Sequence, residues 1–146
     1  MENQQYSFES ASAFTAFEFV SKGKKGHIIK IVKYTEYGDS GMYNLGFGDK
    51  IGDSDKFDDK AISDNGDREK ILATVAATIY EFINEYPNAS IYAKGSNLAR
   101  TRLYRIAISS VLDEINKDFT VLGYLEENWE KFERNQNYSA FLIIKK

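Results

Sequence analysis

The sequence predicts a single α+β domain over residues 1–146, in which one sheet packs against two helices. Glycine-bounded runs of aromatic and β-branched residues fill residues 6–49, which is typical of antiparallel strands. Two later runs place apolar residues three or four positions apart, which predicts helices. Because strands come first and helices later, the order favours α+β over an alternating α/β sheet.

The N-terminal part is predicted to be an antiparallel meander of about four strands. Its strands are the runs YSFES, AFTAFEFVS, GHIIKIVKY and GMYNLGFGD. The connectors KGKKG and TEYGDSG contain glycines, which permit the positive φ angles that tight turns require. In the fourth run Tyr43, Leu45 and Phe47 alternate with Asn44 and Gly46, as expected of a strand with one buried face.

An acidic segment follows, and the first helix comes after it. Residues 49–69 contain eight Asp or Glu residues, which predicts a long solvated loop. Asp64 or Asn65 is predicted to cap the helix, and Pro87 marks its end. The helix carries an apolar stripe of Ile71, Leu72, Val75, Ile79, Phe82, Ile83 and Tyr86.

The rest of the chain is predicted as strand, helix and a C-terminal β-hairpin. The run ASIYAK is a short strand, SNLARTRLYRIAISSVLDEIN is the second helix, and FTVLGYLEE, WEKFE and YSAFLIIKK supply the last strands. On the wheel of the second helix, Arg102 and Arg105 face solvent, whereas Arg100 lies on the apolar side. Arg100 must therefore extend past the helix start or pair with a partner, because an unpaired buried guanidinium is costly.

Composition excludes several kinds of chemistry. The chain has no cysteine, and its only histidine, His27, rules out a site with two imidazoles. The acidic run DSDKFDDKAISD has Phe57 where a calcium loop needs an oxygen ligand, so no metal site is predicted. No signal peptide and no membrane-length apolar run occur, so we expect a cytoplasmic protein without a cofactor and without membrane contact. The net charge of −3 still permits a local basic patch.

The predicted site is the corner where the ASIYAK strand meets the second helix. Gly95 allows a tight turn, Ser96 or Asn97 supplies a helix cap, and the free N–H groups of a helix start attract anions. Arginines there can hold a phosphate or carboxylate with two parallel hydrogen bonds. The predicted anion-binding residues are Lys94, Gly95, Ser96, Arg100, Thr101, Arg102 and Arg105.

A structural reading of the same corner stays open, in which Arg100 holds the acidic segment to the helix. A secondary basic patch is predicted at Lys22, Lys24 and Lys25, with Lys30 and Lys33 on the following strand. Tyrosines close to this patch in the sequence could stack on bases, as on sheets that bind single strands. They are Tyr34, Tyr37 and Tyr43. Trp129, in a polar segment, either covers the edge of the core or meets a partner.

Three elements, YNLGFGD, NGDREKILATVAATIYEF and GSNLARTRLYRIAI, resemble an uncharacterised bacterial family catalogued as a domain of unknown function. The resemblance extends over nearly the whole chain, and the family often has threonine where this chain has Asn97. It implies a small cytoplasmic domain with no assigned activity, and it transfers no catalytic residue. It also implies that the Gly95–Arg105 element recurs in the family.

Two functions are expected from these observations. The first is a non-enzymatic binding module that contacts nucleic acid or another phosphate-bearing ligand through the corner at residues 94–105. The alternative is a protein–protein interaction or regulatory domain, such as one half of a two-gene pair. In that case the acidic segment and the Trp129 hairpin carry recognition and the arginines are structural. No catalytic base or nucleophile emerges from the spacing, which disfavours an enzyme.

Overall fold

The computed structural model describes residues 5–11, 14–53, 56–58 and 65–146. This part of the chain confirms the α+β prediction, with a nine-stranded sheet and three helices. The elements are β1 (Glu9–Ala11), β2 (Ala16–Gly23), β3 (Gly26–Glu36), β4 (Met42–Lys50), β5 (Phe57–Asp58), α1 (Arg68–Glu85), β6 (Ser90–Ala93), α2 (Leu98–Ser110), α3 (Leu112–Asp118), β7 (Phe119–Leu125), β8 (Asn128–Lys131) and β9 (Ala140–Lys145).

The sheet runs in the order β1-β2-β3-β4-β6-β9-β7-β8, and β5 pairs with the end of β4. Neighbouring strands are antiparallel except β4 and β6, which are parallel. Parallel neighbours need a long crossover connection, and α1 lies within it. This order brings the N-terminal meander and the C-terminal strands into one continuous sheet.

Side chains alternate between the two faces of this sheet. On β4, Tyr43, Leu45 and Phe47 point toward the helices and Asn44 and Gly46 point away, as the sequence predicts. All three helices contribute to the one core cluster on the inward face. We call the opposite side, on β3, β4, β6, β7, β8 and β9, the open face. Part of it is covered, because β5 lies over Gly46 and Gly48 and the neighbouring Ile31 is fully buried.

The core is rich in aromatic rings, which explains the high Tyr and Phe content of the chain. Phe82 of α1 lies near its centre and stacks on Tyr34 at 4.2 Å between ring centroids. Tyr43 approaches the same ring edge-on at 4.9 Å. These contacts fix α1 against β3 and β4, and burial raises the pKa of Tyr34 above its ordinary value.

Both predicted helices are present, but their ends differ from the prediction. The described part of α1 begins at Arg68 after Asp67, and Asn65 does not cap it, because the Asn65 side chain bonds to the β2–β3 hairpin instead. The other predicted cap, Asp64, lies outside the described residues. The second helix breaks at Val111 into α2 and α3, so the described residues place three helices on the inward face rather than the predicted two.

The described part of the acidic segment includes a short strand. β5 pairs with β4 through Lys50 and Phe57, and the Phe57 ring lies over Gly46 and Gly48. A Cβ at Gly48 would lie 2.3 Å from the backbone carbonyl oxygen of Asp58, so glycine is needed there. The rest of the predicted loop falls partly outside the described residues.

Candidate functional site

The predicted corner is built around Gly95 and Thr101. The Gly95 amide donates to Thr101 Oγ1 at 3.0 Å, and the Thr101 hydroxyl donates to the Asn97 carbonyl at 3.0 Å. A Cβ on Gly95 would lie 2.3 Å from the Thr101 amide nitrogen. Asn97 caps α2, its Oδ1 accepting from the Arg100 amide at 2.8 Å. The close packing therefore explains Gly95, and the Thr101 hydroxyl is used within the corner.

Arg100 is buried, as its place on the helical wheel predicts. It is 5% exposed, and its guanidinium lies over the Phe47 ring at 5.1 Å from the centroid. Lys30 approaches the same ring at 6.0 Å. Cations over an aromatic face are stabilised by the ring quadrupole, more strongly when water is excluded. Arg100 therefore joins the start of α2 to the inward face of β4.

The other predicted residues of the corner separate to different parts of the surface. Arg105 donates to the Gln136 carbonyl and to Asn137 Oδ1, both at 3.3 Å, so it contacts the loop before β9. Arg102 is exposed on the helix layer. Lys94 and Ser96 are exposed beside β6. The corner does not gather its cations around one point.

Arg102 lines an open cleft of about 880 Å³ between the start of α1 and α2. Arg68 and Lys70 supply two more cations there, and Asp67 and Glu69 supply two acids. The charges largely offset one another. Among the described residues, no group of three or more His, Asp or Glu side chains is arranged to hold a metal ion.

The predicted lysine patch lies at the tip of the β2–β3 hairpin, where Lys22, Lys24 and Lys25 are exposed. Asn65 holds this tip, accepting from the Lys25 amide at 2.6 Å and donating to the Gly26 carbonyl at 2.9 Å. The corner lies part-way along β3, because Arg100 shares the Phe47 ring with Lys30. Lys30 follows Lys25 by five residues, which is roughly 16 Å in a strand, so the patch and the corner do not meet at one point.

Three neighbouring predictions are wrong. Lys30 is 4% exposed and paired with Asp49 on the inward face, so it does not follow a phosphate backbone. Tyr34 is buried against α1, and the half-buried Tyr43 packs on Phe82 of the same helix, so neither ring lies on the opposite side of the sheet beside the lysine patch. The single cause is strand alternation, since all three side chains fall on the face that the helices cover.

The open face carries a row of aromatic rings. Tyr37, in the β3–β4 turn, lies 6.3 Å from Tyr92 between centroids, and Tyr92 lies 6.2 Å from Trp129. Tyr124 supports Trp129 from the neighbouring strand at 5.1 Å. Tyr37 is 50% exposed and Trp129 41% exposed. Burial, followed by the neighbouring Tyr37 and Tyr124, raises the pKa of Tyr92.

On the described strands of the open face, the charged side chains at outward positions have one sign. The outward positions of β3, β4, β6, β7, β8 and β9 hold no Asp or Glu, although the chain is acidic overall. They hold three lysines, of which Lys50 is paired with Glu18 of β2 at 3.0 Å. Lys131 lies two residues beyond Trp129, and Lys33 lies on β3. Lys94 extends the set, because it follows the inward Ala93 and precedes Gly95, which packs on α2.

Of this row, the sequence pointed to Tyr37 and Trp129 and missed Tyr92 and Tyr124. The sequence did contain a signal for this face, because the runs that form β7 and β9 are apolar on both faces. Leu122 and Leu142 occupy outward positions and pair directly. Outward apolar residues in adjacent strands indicate a face that is covered or that binds a partner.

The structure defines a class of protein, a small α+β domain in which the described helices cover one face of a single sheet. The chain belongs to a family of unknown function, DUF6934, whose family model matches residues 2–146. This match confirms the resemblance to a domain of unknown function. No curated protein and no solved structure shows significant similarity to the chain. Within the described residues, every helix is too short or too polar to cross a membrane.

Proposed function

We propose that this protein is a non-enzymatic binding module that contacts nucleic acid through the open face of its sheet. The observation that carries the proposal is the row of Tyr37, Tyr92 and Trp129 beside lysines. Tyr92 and Trp129 lie on strands whose outward positions lack acidic residues, and Tyr37 lies in the adjoining turn. We place the module in the cytoplasm.

The chemistry of the open face suits this class of ligand. Every base has a π face, so an exposed ring can stack on any of them. Lysines beside the rings neutralise phosphates and release the counterions that surround them. An uncharged apolar ligand would need the rings and not the lysines, and a simple anion would need the lysines and not the rings.

The proposal retains one part of the predicted anion corner. Lys94 follows Tyr92 by two residues and is exposed, so it belongs to the open face. Arg102 lies in the helix layer, on the other side of the sheet, and Arg100 is buried. Phosphate contact by Lys94 is therefore proposed together with the rings, and independently of the arginines.

The test is a fluorescence-anisotropy titration with labelled oligonucleotides over a range of salt concentrations. Two lysine–phosphate contacts on a single strand predict that log K falls with log salt with a slope of about −1.4. The double substitution Lys94→Ala and Lys131→Ala should abolish most of this slope. Lys117→Ala, which removes an exposed lysine from α3 in the helix layer, is the matched control and should leave it unchanged.

A protein partner is the alternative, and the apolar pair of Leu122 and Leu142 beside Trp129 favours it. The same titration separates the two functions. Absence of binding to every oligonucleotide at low salt would overturn the nucleic-acid proposal. Binding that is retained by the double lysine variant and is insensitive to salt would contradict the proposed use of the open face.

A further inference from the structure

We infer that the nucleic acid on the open face is a single strand that places three successive unpaired bases on Tyr37, Tyr92 and Trp129. The inference rests on the proposed function and specifies its ligand. It comes from the spacing and tilt of the three rings and from the exposure of Tyr37 and Trp129 at the two ends of the row; Tyr92, between them, is half-buried.

The spacing of the rings excludes a stacked helix. Successive centroids are 6.3 Å and 6.2 Å apart. Bases stacked in a duplex rise only about 3.4 Å per step, so adjacent bases in a duplex cannot each meet a separate ring of this row. A single strand with its bases spread apart can match one base to each ring.

The tilt of the rings also favours a single strand over a duplex. The planes of Tyr37 and Tyr92 are inclined at 68°, and those of Tyr92 and Trp129 at 67°. Bases that stack on successive rings must therefore turn relative to one another by a similar angle. The backbone of a single strand permits this rotation, whereas base pairing holds neighbouring bases nearly parallel.

The lysines stand where the strand's phosphates would pass. Lys94 lies just past the end of β6, two residues from Tyr92, and Lys131 lies on β8, two residues from Trp129. Two residues span about 6.6 Å in an extended chain. Each of these rings thus has a cation beside it. Tyr124 packs against the Trp129 ring from β7 and is not one of the three rings proposed to stack on bases.

The test uses unmodified oligothymidylates of one to six nucleotides and a blunt duplex, with Trp129 as the fluorescent reporter, because it is the only tryptophan. Affinity should rise by about ten-fold for each base that stacks, up to three bases, and then flatten. Binding should quench Trp129, and the duplex should bind only weakly and without quenching.

Substitutions of single rings test the role of each ring in turn. Tyr37→Ala, at an exposed turn, should remove one step of the length series, and Tyr92→Leu should do the same if the variant keeps its circular dichroism spectrum. Phe14→Leu, which changes a 36% exposed ring before β2, is the matched control and should leave the series unchanged.

Two failures are distinguishable. Equal affinity for single strand and duplex, or a series without steps, would overturn this inference and leave nucleic-acid binding in place. No binding to any oligonucleotide would overturn the proposed function itself.

Discussion

Replacing Arg100 with alanine tests the structural role of the corner. The substitution removes a cation held over the Phe47 ring at 5.1 Å and empties the space filled by a side chain that is 5% exposed. The ring contact contributes about 1–2 kcal/mol when water is excluded. Loss of the buried stem adds about 1–2 kcal/mol. We therefore expect the free energy of unfolding to fall by about 2–4 kcal/mol.

The assay is urea unfolding followed by far-UV circular dichroism, with Arg102→Ala as the matched control from the same helix. Arg102 is exposed, so its variant should stay within about 0.5 kcal/mol of the parent. Thermal unfolding should show the same order, with Tm lower by roughly 5–15 °C for Arg100→Ala. If Arg100→Ala unfolds like Arg102→Ala, the reasoning from burial and ring contact is wrong.

Three further predictions concern stability. Asn65→Ala should lower the free energy of unfolding by about 2–4 kcal/mol, because its buried amide holds the β2–β3 hairpin at two backbone positions; a loss below about 0.5 kcal/mol in urea unfolding would contradict this. Glu127 has φ of 68° in the β7–β8 turn, so Glu127→Gly should raise the free energy of unfolding by about 0.5–1 kcal/mol, whereas Glu127→Ala should not. Burial, and then the hydrogen bond to Asp67, raise the pKa of Tyr6 above 10.0. The native state therefore keeps the Tyr6 hydroxyl proton at a pH where the unfolded chain releases it. The stability that this difference contributes is present below pH 10 and is lost as the pH rises through the native pKa of Tyr6. Tyr6→Phe should make the alkaline loss of stability shallower, and an unchanged slope in urea unfolding against pH would refute this.

Much of the fold could be predicted because its signals are local. The alternation of Tyr43, Leu45 and Phe47 gave the inward face of β4, and the helical wheel placed Arg100 among apolar residues. The missed features depend on distant contacts. Asn65 looks like a helix cap, yet its amide reaches the hairpin near Gly26. The break at Val111 lies inside a run with an unbroken apolar pattern.

The open face could not be predicted, because it depends on the strand order. Tyr37, Tyr92 and Trp129 come from three separate parts of the chain, and they meet only because β6 inserts between β4 and β9. The lysines around Tyr34 suggested a platform in the sequence, but the phase of alternation put Lys30 and Tyr34 inside. The pattern of β3 does not reveal which of its faces the helices cover, because Lys30, Ile31 and Val32 are all buried although they alternate between the two faces.

Ultraviolet cross-linking of a single-stranded oligonucleotide to the protein, followed by peptide mass spectrometry, is the most direct test of where nucleic acid binds. Binding on the open face predicts adducts on the peptides that contain Tyr92 and Trp129, and their loss at high salt. Adducts confined to the peptides of the helix layer around Arg102 would contradict it.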